Sequence, residues 1–241
     1  MPDVIIKTID DAITVGYAGK KLGNTNIKFG LTDEAEANFE KFIAKFPGKT
    51  VYDMPAVGKD TIIDVDSLTP GELWELEADA LITERPPALL VLKAADCMPL
   101  VFYVPGKNIL CLAHVGTSGA ALHLPTKVIK ALGSPAKQIH CYIGPSIRKE
   151  SYRMSKDHFE EKKQEINIDE SWNKYITEAD DYIHINLFGY VMDELIDNGI
   201  LKENIHVEDI DTGSDKNYFS HRRHRSTGEE PGRNTLGVHL I

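Results

Sequence analysis

The strongest constraint on this chain lies near its middle. Three short apolar runs, Leu89 to Lys93, Leu100 to Val104 and Ile109 to His114, follow one another with Pro and Gly between them. Runs of this length, bounded by turn residues, read as buried strands of one central sheet. Val104-Pro105-Gly106-Lys107 suits a tight turn, because Pro presets one dihedral and Gly accepts a positive one. The second and third runs therefore pair as an antiparallel hairpin.

Around this hairpin the periodicity changes. Asp33 to Phe46 carries apolar residues at Ala37, Phe39, Phe42, Ile43 and Phe46, the spacing of an amphipathic helix. The chain after Gly116 reads as one helix through Leu132, closed by Gly133 and Pro135. Leu187 to Asn198 reads as another helix, ending at Gly199, and Lys156 to Lys163 as an exposed one. Thr50 to Tyr52, Thr61 to Val65, Ile139 to Ile143, Ile205 to Ile210 and Thr235 to Leu240 read as further strands, while Ile5 to Thr14 is apolar at its ends. Hairpins mixed with helices imply an α+β fold, mixed sheets with flanking helices. Neither a GxGxxG nor a phosphate-binding GxxxxGK loop is present to favour a doubly wound nucleotide fold. No Gly-, Ser- or Pro-rich linker divides the chain, so residues 1–241 are expected to form one domain.

Composition narrows the functions. The net charge of −10 speaks against nucleic acid as a partner, since that role needs a basic face. The cluster His221-Arg222-Arg223-His224-Arg225 is the local exception, suited to a small anion such as phosphate or to plain solvation. Three cysteines, Cys97, Cys111 and Cys141, make a poor disulfide framework, and there is no CxxC pair for a zinc ribbon. No signal-like pattern or long apolar stretch is present, so a soluble, cytoplasmic protein with no membrane contact and no obligate protein partner is expected. Cys97 precedes one strand of the hairpin and His114 ends the other, so both side chains can converge at one end of the sheet. Taken alone, Cys97 reads more readily as a small core residue than as a ligand or nucleophile. His123 and His140 read as ordinary histidines.

Five ordered motifs then point to a family. They are Ala78-Asp79-Ala80-Leu81-Ile82-Thr83, Ala94-Ala95-Asp96-Cys97-Met98-Pro99, His114-Val115-Gly116-Thr117-Ser118-Gly119, Ile143-Gly144-Pro145, and Asp211-Thr212 followed by Tyr218-Phe219-Ser220-His221-Arg222-Arg223. In order and spacing the chain resembles the YfiH/laccase-domain group, once labelled polyphenol oxidases and described as zinc-dependent purine nucleoside phosphorylases. The resemblance implies a YfiH-like mixed-sheet fold and a purine nucleoside and phosphate as small-molecule substrates. It also implies a Cys-His-His zinc site, of which Cys97 and His114 would supply two ligands and act catalytically. Asp79, Arg222, Arg223 and Asn38 fall at substrate- or phosphate-binding positions. The chain departs from the pattern at Val57, where the family has its third histidine ligand, at Thr117-Ser118 in place of Trp-Arg, at Asp211 in place of Cys, and at Phe39 in place of Arg. With Val57 there, zinc should bind weakly or not at all. The expected activity is that of a nucleoside phosphorylase or adenosine deaminase. The alternatives are a non-catalytic member, or a metal-free hydrolase in which Cys97 and His114 cleave an amide. Val57 is expected to border the Cys97 pocket. Arg222 and Arg223, read as an extended segment, should point to opposite faces, one of them inward.

Overall fold

The structure, a computed structural model, describes residues 2–28, 32–166, 168–179 and 181–241. The central apolar runs build two sheets rather than one. A six-stranded sheet runs in the order Ile205–Val207, His140–Ile143, Met98–Tyr103, Leu110–Val115, Ala80–Thr83 and Ile62–Asp64. A five-stranded sheet runs Ile5–Ile9, Ile13–Ala18, Asn234–Leu240, Ala88–Ala94 and Thr50–Asp53. A small three-stranded sheet, Arg153–Ser155, Tyr182–Ile185 and Ile176–Ala179, packs Met154, Ile183 and Ile185 into the same core as Leu100 and Phe102.

The expected hairpin is present, pairing Met98 with Val115 through Tyr103 with Leu110. Its turn is closed by Lys107 N–H donating to the Val104 carbonyl at 3.0 Å, with Gly106 at a φ of 76°. Met98–Tyr103 is buried at every position, as a strand covered on both faces must be. Val101 and Tyr103 face the other large sheet, meeting Leu90, Leu92 and Val238, whereas Leu100 and Phe102 face Val128, Val191 and Leu195 of the outer helices. On the far side, Phe42 of the helix Thr32–Ile43 packs on Leu89 and Val91. The order is therefore helix, sheet, sheet, helix.

Three readings of local structure change. The helix from 117 to 132 is two, Thr117–Ala121 and Leu124–Ala131, broken at His123, which takes a left-handed φ of 56°. Pro125 is the cause: within a continuous helix its ring would clash with the carbonyl four residues back and leave that group without a donor, whereas in the first turn of a new helix neither matters. The strand from 205 stops at Val207. Arg222 and Arg223 lie not on an extended segment but in the helix His221–Thr227, capped by the Ser220 hydroxyl, which accepts from Arg223 N–H, and closed by left-handed Gly228. Among the described residues, no helix is long and apolar enough to cross a membrane.

Candidate active site

Cys97 sits where the chain leaves one large sheet for the other, between Ala88–Ala94 and Met98–Tyr103. The crossing turns on Asp96, a non-glycine residue with a φ of 79°. Such a conformation persists only when its surroundings enforce it. The Asp96 carboxylate accepts from Thr212 Oγ1 at 2.8 Å, Ser220 Oγ at 3.0 Å and Arg222 N–H at 2.7 Å, which anchors the turn from outside. The Cys97 sulfur lies against Gly116, where an added Cβ would meet it at 3.0 Å.

His114 ends the partner strand, pairing with Pro99. Its Nδ1 donates to Asp79 Oδ1 at 2.8 Å. Asp79 is fully buried, and its two oxygens also accept Gly58 N–H at 2.8 Å and Lys59 N–H at 2.7 Å. Burial pushes the Asp79 carboxyl up, but the hydrogen bonds from His114, Lys59 and Gly58 outweigh it and hold the group below its ordinary value. With Nδ1 committed to Asp79, the imidazole shares the cavity with the Cys97 thiol. Burial alone would depress the His114 pKa, yet the Cys97 charge and the Asp79 hydrogen bond carry it up to about 10. The result is a Cys-His-Asp set in which the imidazole is protonated and oriented through its Nδ1–H.

Cys97 and His114 line a cavity of about 220 Å³ together with Tyr152, His158, Lys162, His221 and Arg222, and Asp79 stands behind His114 outside its lining. The Arg222 guanidinium lies 5.4 Å from the Tyr152 ring centre, and its buried Nε has no hydrogen-bond partner. A buried donor left unsatisfied costs roughly 1–3 kcal/mol, and a ligand oxygen would recover it. Tyr152 donates to or accepts from Thr117 Oγ1 at 2.5 Å, so the threonine that replaces the family tryptophan holds a wall of the cavity. His158 and Lys162 belong to the helix Lys156–Glu165, whose charge run reads from sequence as an exposed face.

The other expected site residues are placed differently. Arg223 donates from Nε to Glu229 at 2.8 Å and from its terminal nitrogens to the carbonyls of Thr212, Gly213, Asp215 and Tyr218, tying the 212–218 loop to its helix. Asn38 is buried outside the cavity, donating to the Asn24 carbonyl at 3.1 Å and accepting from Lys41. Val57 does not border the Cys97 cavity. It is 44% exposed and lines a neighbouring one with Phe39, Asp53, Trp74 and Lys93, while Gly58, at a φ of 80°, turns its N–H toward Asp79. Asp211 accepts from Arg148 N–H, Gly213 N–H and the Ser151 hydroxyl, so the acid standing at the family cysteine is a loop anchor. Tyr152 and His158 carried no local signal in the sequence, whereas His221 stood in the basic cluster; the fold gathers the three from separate segments.

The donor set does not suit zinc. A zinc site takes at least three protein ligands. Among the described residues, no group of three His, Cys, Asp or Glu side chains with ligand atoms close enough to share an ion includes Cys97 or His114.

A family model described as multi-copper polyphenol oxidoreductase laccase matches residues 14–238. Two curated relatives are the purine nucleoside phosphorylase of Deinococcus radiodurans, 33% identical over 39% of this chain and 37% of that one, and a purine nucleoside phosphorylase of Clostridium acetobutylicum, 32% identical over 56% and 57%. The chain thus spans from about a third to somewhat over half the length of these relatives. In fold it is similar to the hypothetical protein YfiH of Bacillus licheniformis, with a TM-score of 0.80 at 24% identity over 95% and 93% of the two chains. It is likewise similar to YlmD of Geobacillus stearothermophilus, at 0.78 and 19% over 99% of each. With its ordered motifs, its two packed sheets and nearly all of its length covered by one family model, the chain belongs to the multi-copper polyphenol oxidoreductase laccase family.

Proposed function

We propose that this chain is a purine nucleoside phosphorylase that works without a metal ion, with the cavity around Cys97, His114 and Arg222 as its active site. The observation that carries this reading is that Arg222, whose buried Nε has no hydrogen-bond partner, lines the same cavity as a protonated His114. Arg222 binds a phosphate oxygen, and His114 faces the purine. As a phosphate oxygen attacks C1′ of the ribose, the C1′–N9 bond breaks, and the imidazolium delivers its proton to the departing base. The products are ribose 1-phosphate and the free purine. The proton left on the phosphate then returns to the imidazole, while Asp79 holds the ring in place throughout. The relatives named purine nucleoside phosphorylases support the choice of substrate. Zinc, copper or deamination plays no part in this scheme.

A second reading rests on the Cys-His-Asp arrangement itself. Cys97 as thiolate attacks an amide carbonyl, the C–N bond breaks as His114 protonates the leaving amine, and water then cleaves the thioester, giving its proton to His114 and releasing the acid with Cys97 again a thiolate.

The test is base release from inosine by chelator-treated protein, with and without phosphate. The expected result is release that requires phosphate and falls roughly 100-fold or more in His114→Asn, the usual scale for losing a general acid. Absence of release by the wild-type protein, or release indifferent to His114, would overturn the proposal.

A further inference from the structure

The geometry points to a second, independent site: a divalent transition-metal site, best suited to Zn²⁺, formed by Asp10, His140 and His206 at the opposite end of the central sheet. His140 opens the strand His140–Ile143 and His206 lies in the parallel neighbour Ile205–Val207, where it pairs with Tyr142. Because side chains alternate along a strand, His140 and His206 share one face. That face looks toward the other large sheet, whose first turn brings down Asp10. Three donors converge on a single oxygen, Asp10 Oδ2: His140 Nδ1 at 2.6 Å, His206 Nε2 at 3.0 Å and Tyr103 OH at 2.8 Å.

Several features suit an ion. The ligand atoms of the three residues all lie within 4.8 Å of one another. A tetrahedral zinc ion with bonds of about 2.0–2.1 Å sets its ligands roughly 3.4 Å apart, so a small outward shift of the imidazoles admits it. Two imidazole nitrogens and one carboxylate oxygen suit zinc and exclude the all-oxygen preference of calcium and magnesium, leaving a fourth position for water. Tyr103 is fully buried and donates to the ligating carboxylate, the support that ligands in metal sites commonly have. Asp10 and Asp11, both at a φ of 51°, make the tight turn of the hairpin that carries this carboxylate. Bound there, the ion would pin the turn between Ile5–Ile9 and Ile13–Ala18 to the edge of the six-stranded sheet. The site shares no residue with the Cys97 cavity: Tyr103 pairs with His140 and Pro99 with His114, four residues or about 13 Å along the same strand.

The experiment is a calorimetric titration of Zn²⁺ alone into the full chain after chelator dialysis, using the wild type, Cys97→Ser, His140→Asn, His206→Asn and Tyr103→Phe. One equivalent should bind the wild type and Cys97→Ser alike, at least tenfold more weakly in each histidine variant, and roughly 10–100-fold more weakly in Tyr103→Phe. Cobalt should give the wild type a tetrahedral visible spectrum without a thiolate charge-transfer band, a readout that needs no variant to fold. Absence of a bound equivalent, loss of binding in Cys97→Ser, undiminished binding in His206→Asn, or a thiolate band with cobalt would each overturn the site.

Discussion

At the scale of single residues, the two adjacent arginines divide their work. Successive residues on a helix point about 100° apart rather than to opposite faces, so Arg222 reaches the cavity while Arg223 turns to the loop it braces. Arg222→Ala should weaken phosphate binding about tenfold or more, the loss of a charge-assisted hydrogen bond of about 1.5–3 kcal/mol, with folding nearly unchanged. Arg223→Ala should leave binding almost intact and lower stability by about 1–3 kcal/mol, because four carbonyls and Glu229 lose their donor. Calorimetry with phosphate and urea unfolding of each variant separate the two. His114 carries a pH signature as well. Its folded pKa, about 10, lies above the ordinary imidazole value of 6.5, so the stabilisation from its protonated state is complete below pH 6.5 and is lost as pH rises through about 10. The stability gap between wild type and His114→Asn should therefore narrow between pH 6.5 and 10 when followed by urea unfolding.

At the scale of elements, the signals that were local could be read and the non-local ones could not. The hairpin was legible because two apolar runs flank a Pro-Gly turn, and turn chemistry acts over four residues. The helix break at His123 was obscured by Leu124, Val128 and Leu132, whose spacing continues the apolar face across Pro125. The helix bearing Arg222 had its own markers, Ser220 at one end and Gly228 at the other, hidden by the motif's resemblance to an extended run. Asp79, Cys97, His114 and Arg222 lie near one another because Asp79 and Cys97 precede the strands Ala80–Thr83 and Met98–Tyr103, His114 is next to last in Leu110–Val115, and the first turn of the Arg222 helix is tied to Asp96. Tyr152 and the Asp10 cluster could not be found from the motifs: Asp10 lies 130 residues from His140 and 196 from His206, and only the sheet order joins them. One junction is open to a direct test. Gly116→Ala sets a Cβ 3.0 Å from the Cys97 sulfur, so it should slow alkylation of Cys97 by displacing the sulfur while changing stability little. Alkylation at the wild-type rate would show that the sulfur does not rest on Gly116.

At the scale of the whole molecule, two packed sheets hold Asp79, Cys97 and His114 at one end of the core and leave the other end to Asp10, His140 and His206. The same packing supplies internal controls, because Cys111 and Cys141 are fully buried and burial pushes both thiols far up, whereas Cys97 borders the cavity. The most direct measurement is therefore the rate of iodoacetamide labelling of Cys97, read by peptide mass spectrometry, with and without inosine and phosphate together. If the cavity is where the nucleoside and phosphate bind, Cys97 alone is labelled, and the two ligands together slow its labelling at least several-fold. Labelling of Cys97 at the same rate with and without them would contradict the account.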